Sequence, residues 1–135
     1  TYNIVAYLDG MEFDYETITT YPDDVIDGVV FELLEATAKG TIESTVSING
    51  GDDNEQYATI SYRKKINCNG SDCEMIEIIS KNLKSTTLPF EVILPIVDSD
   101  VSYQRVASSF DYVTESDNLT LIAGGSITDD IELTD

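Results

Sequence analysis

Apolar and polar residues alternate with a period of two along much of the chain, and Gly, Asn and Asp residues interrupt this alternation at short intervals. Successive side chains of a β-strand point to opposite sides of a sheet, so this period predicts strands that each bury one face. From Thr41, for example, Ile42, Val46 and Ile48 alternate with polar residues. The same reasoning predicts strands at 57–66, 74–79, 89–97, 102–113, 119–123 and 126–133.

The N-terminal segment has the pattern of a β-hairpin. Met11 to Thr17 alternates cleanly, and Asp9-Gly10 before it is a strong signal for a two-residue hairpin turn. A two-residue turn would place six apolar residues on one face, so that register and pattern agree. The predicted pairs are Leu8 with Met11, Ala6 with Phe13, and Ile4 with Tyr15.

One segment, roughly residues 22–39, has the pattern of an amphipathic helix. Pro22 and the two acids after it suit a helix start, and Lys39-Gly40 suits a helix end. Gly28 would weaken this helix by about 1 kcal/mol relative to Ala. A competing interpretation is a strand at 29–31, where β-branched residues cluster. The predicted apolar stripe comprises Ile26, Val29, Val30, Leu33, Leu34 and Thr37.

These elements predict an α+β, β-rich fold: a mostly antiparallel sheet or sandwich of about eight strands with one amphipathic helix. The 135 residues are of single-domain size, and 41% of them are hydrophobic, which is enough for a core. We therefore expect residues 1–135 to form a single acidic β-rich domain.

The charge of the chain restricts its partners. The formal net charge is −19, and all seven bases fall between residues 39 and 105. Phosphate binding needs clustered Lys and Arg, so nucleic acid and anionic membrane surfaces are not expected partners. The longest apolar-rich run, 88–97, contains Glu91 and two prolines, so we expect no membrane insertion. Self-repulsion at this charge instead points to salt, bound cations or cationic partners.

The two cysteines, Cys68 and Cys73, flank a four-residue turn, and the chain has no histidine. Two Cys without His cannot complete a tetrahedral zinc site, so the alternatives are a disulfide and two reduced thiols. We favour the disulfide, which would stabilise the fold by roughly 2 kcal/mol and indicates an extracellular, cell-surface or virion location. The hairpin that this turn joins is predicted to pair Cys68 with Cys73, Ile66 with Met75, and Lys64 with Glu77.

Two further patterns are candidate modification and metal sites. Asn69-Gly70-Ser71 and Asn118-Leu119-Thr120 are glycosylation sequons, which makes Asn69 and Asn118 candidate glycosylation sites. Acidic loop residues could supply the hard oxygen ligands that calcium prefers, although none follows the EF-hand spacing. The alternative is that these acids are only solvated. The candidate calcium ligands are Asp52, Asp53, Glu55, Asp98 and Asp100.

Arg63, Lys64 and Lys65 form the one run of consecutive bases. Strand geometry would place Lys64 on one face of the sheet and the other two on the opposite face. The simplest interpretation is cross-strand pairing with nearby acids. The alternative is an inter-subunit basic patch that docks an anionic end of a neighbouring copy, which is a heterologous contact that builds rings or fibres.

The sequence does not predict an enzyme. Without histidine there is no Ser-His-Asp or Cys-His arrangement, and among 26 acids some carboxylate pair always looks suitable for catalysis. We therefore expect a structural or assembly protein, a subunit of an extracellular filament or of a virion (shell, decoration or tail). In it, strand and electrostatic contacts would hold a homo-oligomer or polymer of copies together. The alternatives are a calcium-dependent extracellular binding module and an acidic inhibitor that mimics nucleic acid.

Overall fold

A computed structural model describes residues 2–21, 25, 28–49, 57–84, 89–110 and 112–134. These residues form nine strands and no helix, so none of them belongs to a helix that could cross a membrane. The strands are β1 (Tyr2–Ala6), β2 (Asp14–Ile18), β3 (Lys39–Asn49), β4 (Tyr57–Asn69), β5 (Asp72–Lys84), β6 (Phe90–Pro95), β7 (Ser102–Ser108), β8 (Glu115–Thr120) and β9 (Ser126–Thr134).

The strands form a four-stranded sheet, a three-stranded sheet and a separate hairpin. The four-stranded sheet has the order β5-β4-β7-β8, the three-stranded sheet has the order β6-β3-β9, and β1 pairs with β2. Every described ladder is antiparallel except the one between β3 and β9. The β-rich, mostly antiparallel architecture predicted from the sequence is confirmed.

The two larger sheets share one hydrophobic core. The alternate residues of each strand that point inward belong to a single cluster, while their neighbours face outward. Period-two alternation therefore places one face of each sheet in a sandwich interior. The cluster comprises Ile42, Val92, Leu94, Ile131 and Leu133 from the three-stranded sheet, and Ala58, Ile60, Tyr62, Ile76, Ile78, Tyr103, Ala107 and Leu119 from the four-stranded sheet, together with Leu121.

The predicted helix at roughly 22–39 is wrong. Its described residues form neither a helix nor a strand before β3 begins at Lys39, apart from one isolated bridge at Glu35. From Val29 to Leu34 the exposure alternates with a period of two, and Gly28 has a φ of 74°, which is outside the helical region. The β-branched residues and the left-handed conformation of Gly28 thus keep this segment extended, although its apolar residues also fit a helical stripe. Residues 22–24 and 26–27 of the predicted helix lie outside the described residues.

The N-terminal hairpin forms, but its predicted register is wrong by one residue. The Asp9-Gly10 turn is present, with the Met11 N–H donating to the Leu8 carbonyl at 2.9 Å. However, residues 10–12 then bond to 34–36 instead of to β1: the Glu12 N–H donates to the Leu34 carbonyl at 2.7 Å. Val5 therefore pairs with Tyr15. The side chains that pack on the core are Val5, Tyr7, Phe13 and Tyr15, not Ile4 and Ala6.

The β4–β5 hairpin also departs from its predicted register. Asn69 pairs with Asp72, but Ile66 pairs with Glu74 and Lys64 with Ile76, because the register shifts by one residue between Ile66 and Asn69. Asn67 lies in this stretch with a φ of 50°, which is typical of a β-bulge. A second shift near Tyr62 restores the register.

Candidate functional site

The tip of the β4–β5 hairpin carries the predicted disulfide. Cys68 and Cys73 are bonded, and none of the described residues is a free cysteine. Disulfides persist in oxidising environments, so this bond fits an extracellular or otherwise oxidising location. Asn69 lies exposed in the same turn. The second sequon residue, Asn118, lies exposed on β8, so both candidate glycosylation sites are accessible.

Lys64, in the middle of the basic run, is buried with 4% of its side chain exposed. Its Nζ lies 3.0 Å from Asp100 Oδ2, donates to the Asp100 and Ser102 carbonyls at 3.0 and 2.8 Å, and lies 4.3 Å from the centroid of the Tyr103 ring. Burial lowers the pKa of Lys64, and Asp100 opposes this change. Lys64 therefore fastens the turn before β7 to β4 and is not part of an exposed basic patch.

The turn that Lys64 holds contains the candidate calcium ligands Asp98 and Asp100. Asp98 and Ser99 have φ values of 52° and 62°, and the Asp100 N–H donates to the Val97 carbonyl at 3.0 Å, as in a type I′ turn. Asp100 also accepts from the Ser102 N–H at 3.0 Å. Burial favours a higher pKa for Asp100, but the Ser102 N–H and Lys64 outweigh it, so its pKa lies below the ordinary value.

The structure describes two of the five candidate calcium ligands, Asp98 and Asp100. Asp52, Asp53 and Glu55 lie outside the described residues. Asp98 and Asp100 occupy a tight turn instead of an extended strand, and the carboxylate of Asp100 is engaged by Lys64. Among the residues described, no three Cys, Asp or Glu side chains are grouped so that they could hold a metal ion.

Arg63 and Lys65, the two other bases of the run, point outward from the four-stranded sheet. In the ladders Arg63 lies opposite Gln104 of β7, and Gln104 lies opposite Asn118 of β8. These four residues line an open cavity of about 320 Å³, together with Met75 on β5 and the acid Asp100 in the turn before β7. The two cations and two side-chain amides offer hydrogen-bond donors to an anionic group such as a carboxylate. The partly exposed Asp100 carboxylate already lies at this cavity, and Lys65 is one of the charges that lower its pKa.

The outer face of the four-stranded sheet has an excess of positive charge. Alternation along β4 and β5 places three bases outward, Arg63, Lys65 and Lys84, against one acid, Glu77. Lys84 lies 5.6 Å from the centroid of the Tyr57 ring. We call this surface the cationic face. Its other outward side chains are largely uncharged and polar: Thr59, Ser61, Ser80, Asn82, Ser102, Gln104, Ser108, Ser116, Asn118 and Thr120.

The outer face of the three-stranded sheet has the opposite charge. Four acids point outward against one base, Lys39. A cavity of about 400 Å³ opens between Lys39, Glu43 and Glu91. We call this surface the anionic face, and the sandwich therefore separates charge between its two outer surfaces. The acids are Glu43 on β3, Glu91 on β6, and Asp130 and Glu132 on β9.

A buried ion pair that the sequence analysis missed joins the two sheets. Arg105 of β7 donates to Asp129 of β9 from Nε at 2.8 Å and from Nη2 at 3.0 Å, and their side chains are 1% and 5% exposed. Burial lowers the pKa of Arg105, but Asp129 outweighs it and the net pKa is raised. The signal was present: Asp129 occupies an inward position between Ile127 and Ile131, so alternation predicts it in the core.

No model of a known protein family matches this chain, and no curated protein matches it.

Proposed function

We propose that this protein is a non-enzymatic structural subunit that assembles with copies of itself outside the cell, in a filament or a virion shell, decoration or tail. The observation that supports the proposal is the separation of charge between the cationic face and the anionic face of one sandwich. Such a subunit presents complementary surfaces on its opposite sides. Copies that stack through them form a heterologous, open-ended array instead of a closed pair.

Two bases of the cationic face and two acids of the anionic face could make this contact. Among the described residues only two ion pairs occur, Lys64 with Asp100 and Arg105 with Asp129, and neither includes Arg63, Lys65, Glu43 or Glu91. Arg63, Lys65, Glu43 and Glu91 thus form no ion pair within that part of the chain, although Glu77 lies directly opposite Arg63 and Asp100 lines the cavity beside Lys65. Complementary potentials steer association and fix its orientation, which is what an ordered array requires.

Neither of the two alternative functions gives a role to both charged faces. A calcium-dependent module depends on acidic loops, but Asp100 is already engaged by Lys64. A mimic of nucleic acid needs the anionic face and gives no role to Arg63 and Lys65 on the other side of the sandwich. Assembly of copies uses both faces. The disulfide between Cys68 and Cys73 supports an extracellular or virion location for such an array.

Sedimentation velocity over a range of protein concentrations tests the proposal. We expect concentration-dependent self-association at low ionic strength that weakens as salt is added, because exposed charges are screened beyond a Debye length of about 8 Å at physiological ionic strength. Lys65→Glu should weaken the association. The matched variant Lys39→Glu changes the net charge equally but lies on the anionic face, so it should not weaken it.

A wild-type protein that remains monomeric at high concentration and low salt, with or without added calcium, would overturn the proposal. Equal weakening by Lys65→Glu and Lys39→Glu would also count against it, because that result indicates general repulsion between acidic molecules and not a contact at the cationic face.

A further inference from the structure

Glu43 and Glu91 are placed where they repel each other. They are direct cross-strand partners on β3 and β6, and both are exposed on the anionic face. Directly opposite residues in an antiparallel pair have Cβ atoms about 5 Å apart, and like charges there are destabilising. A pair of this kind is stabilised when a cation reaches both carboxylates.

The described part of the chain supplies no such cation. Lys39 lines the same cavity, but it lies four residues before Glu43 on β3, about 13 Å along the strand, and forms no ion pair with either acid. On the third strand of this sheet, Thr128 is the residue opposite Glu43. Within the described part of the chain no base forms an ion pair with Glu43 or Glu91, so both exposed carboxylates are open to a cation from solution or from a second copy.

The cationic face carries a matching pair. Arg63 and Lys65 are two residues apart on β4 and point to the same side, which separates their Cα atoms by roughly 7 Å. This spacing is close to that of the two glutamates, and the long side chains can adjust the difference. The guanidinium of Arg63 can also form two parallel hydrogen bonds with a carboxylate.

We propose that the Glu43–Glu91 pair of one copy is the receptor for Arg63 and Lys65 of a second copy. Gln104 and Asn118, which line the cavity beside these two bases, supply further donors to the incoming carboxylates, and Asp100, which lines the same cavity, is paired with Lys64. Each copy carries one receptor and one basic pair on opposite sheets, so the contact propagates from copy to copy. This inference rests on the proposed assembly function and names the residues that make the contact.

Two neutralised variants separate the inference from the general proposal. Glu43→Gln/Glu91→Gln and Asp130→Asn/Glu132→Gln each remove two negative charges from the anionic face. In sedimentation velocity at low salt we expect the first to weaken self-association by about tenfold or more, and the second by no more than about threefold. Circular dichroism of each variant checks that the fold is retained.

Equal weakening by the two variants, or no effect of Glu43→Gln/Glu91→Gln, would overturn the receptor. The proposed function would still stand in either case if the wild-type protein associates and Lys65→Glu weakens it. A wild-type protein that does not associate defeats both proposals.

A charge exchange between copies gives a gain of function that misfolding cannot imitate. Arg63→Glu/Lys65→Glu and Glu43→Lys/Glu91→Lys should each be monomeric alone, because each then carries the same charge on both contact surfaces. Their equimolar mixture should associate, and a mixture that stays monomeric contradicts the proposed contact.

A divalent cation is the competing occupant of the receptor. Titration with calcium chloride in a calorimeter should give no heat that depends on Glu43 and Glu91, and a chelator should leave wild-type self-association unchanged. Calcium heat that disappears in Glu43→Gln/Glu91→Gln would assign the pair to a metal and overturn the inference.

Discussion

Arg105 and Lys64 are both cations that the fold removes from water, but it satisfies them in different ways. Arg105 bonds to Asp129 through Nε and Nη2, and its Nη1 has no hydrogen-bond partner among the described residues. Lys64 has three oxygen partners, two carbonyls and the Asp100 carboxylate, for its three donors. The more deeply buried pair is therefore the less completely bonded.

The difference reflects what each pair connects. Arg105 and Asp129 lie on different sheets, so their bond fixes how the two layers of the sandwich sit on each other. Lys64 and Asp100 join β4 to the turn before its neighbour β7, and 47% of the Asp100 side chain is exposed. Water can replace part of the second interaction but little of the first, so breaking the first pair should be more costly.

The largest effect is expected from Asp129→Asn. This change leaves the buried Arg105 charge without its counter-ion, and removing one partner of a buried pair costs about 3–5 kcal/mol. Urea unfolding followed by circular dichroism measures the loss. Asp130→Asn, one residue along and exposed, is the matched control, with an expected loss under about 1 kcal/mol. If Asp129→Asn lowers the unfolding free energy by less than about 1 kcal/mol, groups other than Asp129 must stabilise the buried Arg105 charge.

Lys64→Met should have an intermediate effect. Methionine fills a similar volume but leaves the Asp100 and Ser102 carbonyls without the Lys64 donor, and losing these partly buried hydrogen bonds to a charged group costs about 1–3 kcal/mol. Lys65→Met, which removes an exposed base next to it, is the control and should change the unfolding free energy by no more than about 0.5 kcal/mol. Equal losses in the two variants would show that the Lys64 contacts add nothing to stability.

Each cation has a buried tyrosine beside it, and these tyrosines predict the behaviour at alkaline pH. Tyr62 lies opposite Arg105 on the neighbouring strand, and burial raises its pKa to about 12; burial also raises the pKa of Tyr103, next to Lys64. A folded pKa above the unfolded value means that this stability is complete below about pH 10 and is lost as the pH rises through the folded pKa.

Unfolding free energies measured from pH 9 upward test this expectation. They should fall with pH in the wild type and fall less steeply in Tyr62→Phe, because phenylalanine has no proton to lose. A parallel decline in the two proteins would show that Tyr62 ionises without unfolding.

The sequence predicted the sandwich better than the N-terminal region for a physical reason. In β9, alternating Ile127, Ile131 and Leu133 specify which face is buried, and a one-residue slip would expose all three. Between residues 28 and 38 the apolar residues fit both a helical stripe and an alternating one, and hydrogen bonds to residues 10–12 favour the extended chain. Periodicity alone could not decide between a helix and an extended segment.

The candidate site was only partly predictable. The outward direction of Arg63 and Lys65 follows from alternation along β4, and the disulfide follows from the position of Cys68 and Cys73 at a turn. The opposition of Glu43 and Glu91 does not follow, because it depends on the pairing of β3 with β6, whose residues lie 48 positions apart in the chain. Cross-strand register at that separation is set by the assembled core.

The smallest effect is expected from Asp100→Asn, and it should depend on pH. The folded pKa of Asp100 lies below its ordinary value of 3.8, so its contribution to stability is present above that value and is lost as the pH falls through the folded pKa. Wild type and Asp100→Asn should therefore differ most near neutral pH and converge below about pH 4. Unfolding free energies of both proteins measured from pH 7 to pH 3 give this difference directly.

General self-repulsion of the acidic chain largely cancels between the two proteins, since they differ by one charge. A difference that stays constant down to pH 3 would mean that Lys64 is held by the two carbonyls alone, and the Asp100 carboxylate would then have no part in fastening the turn.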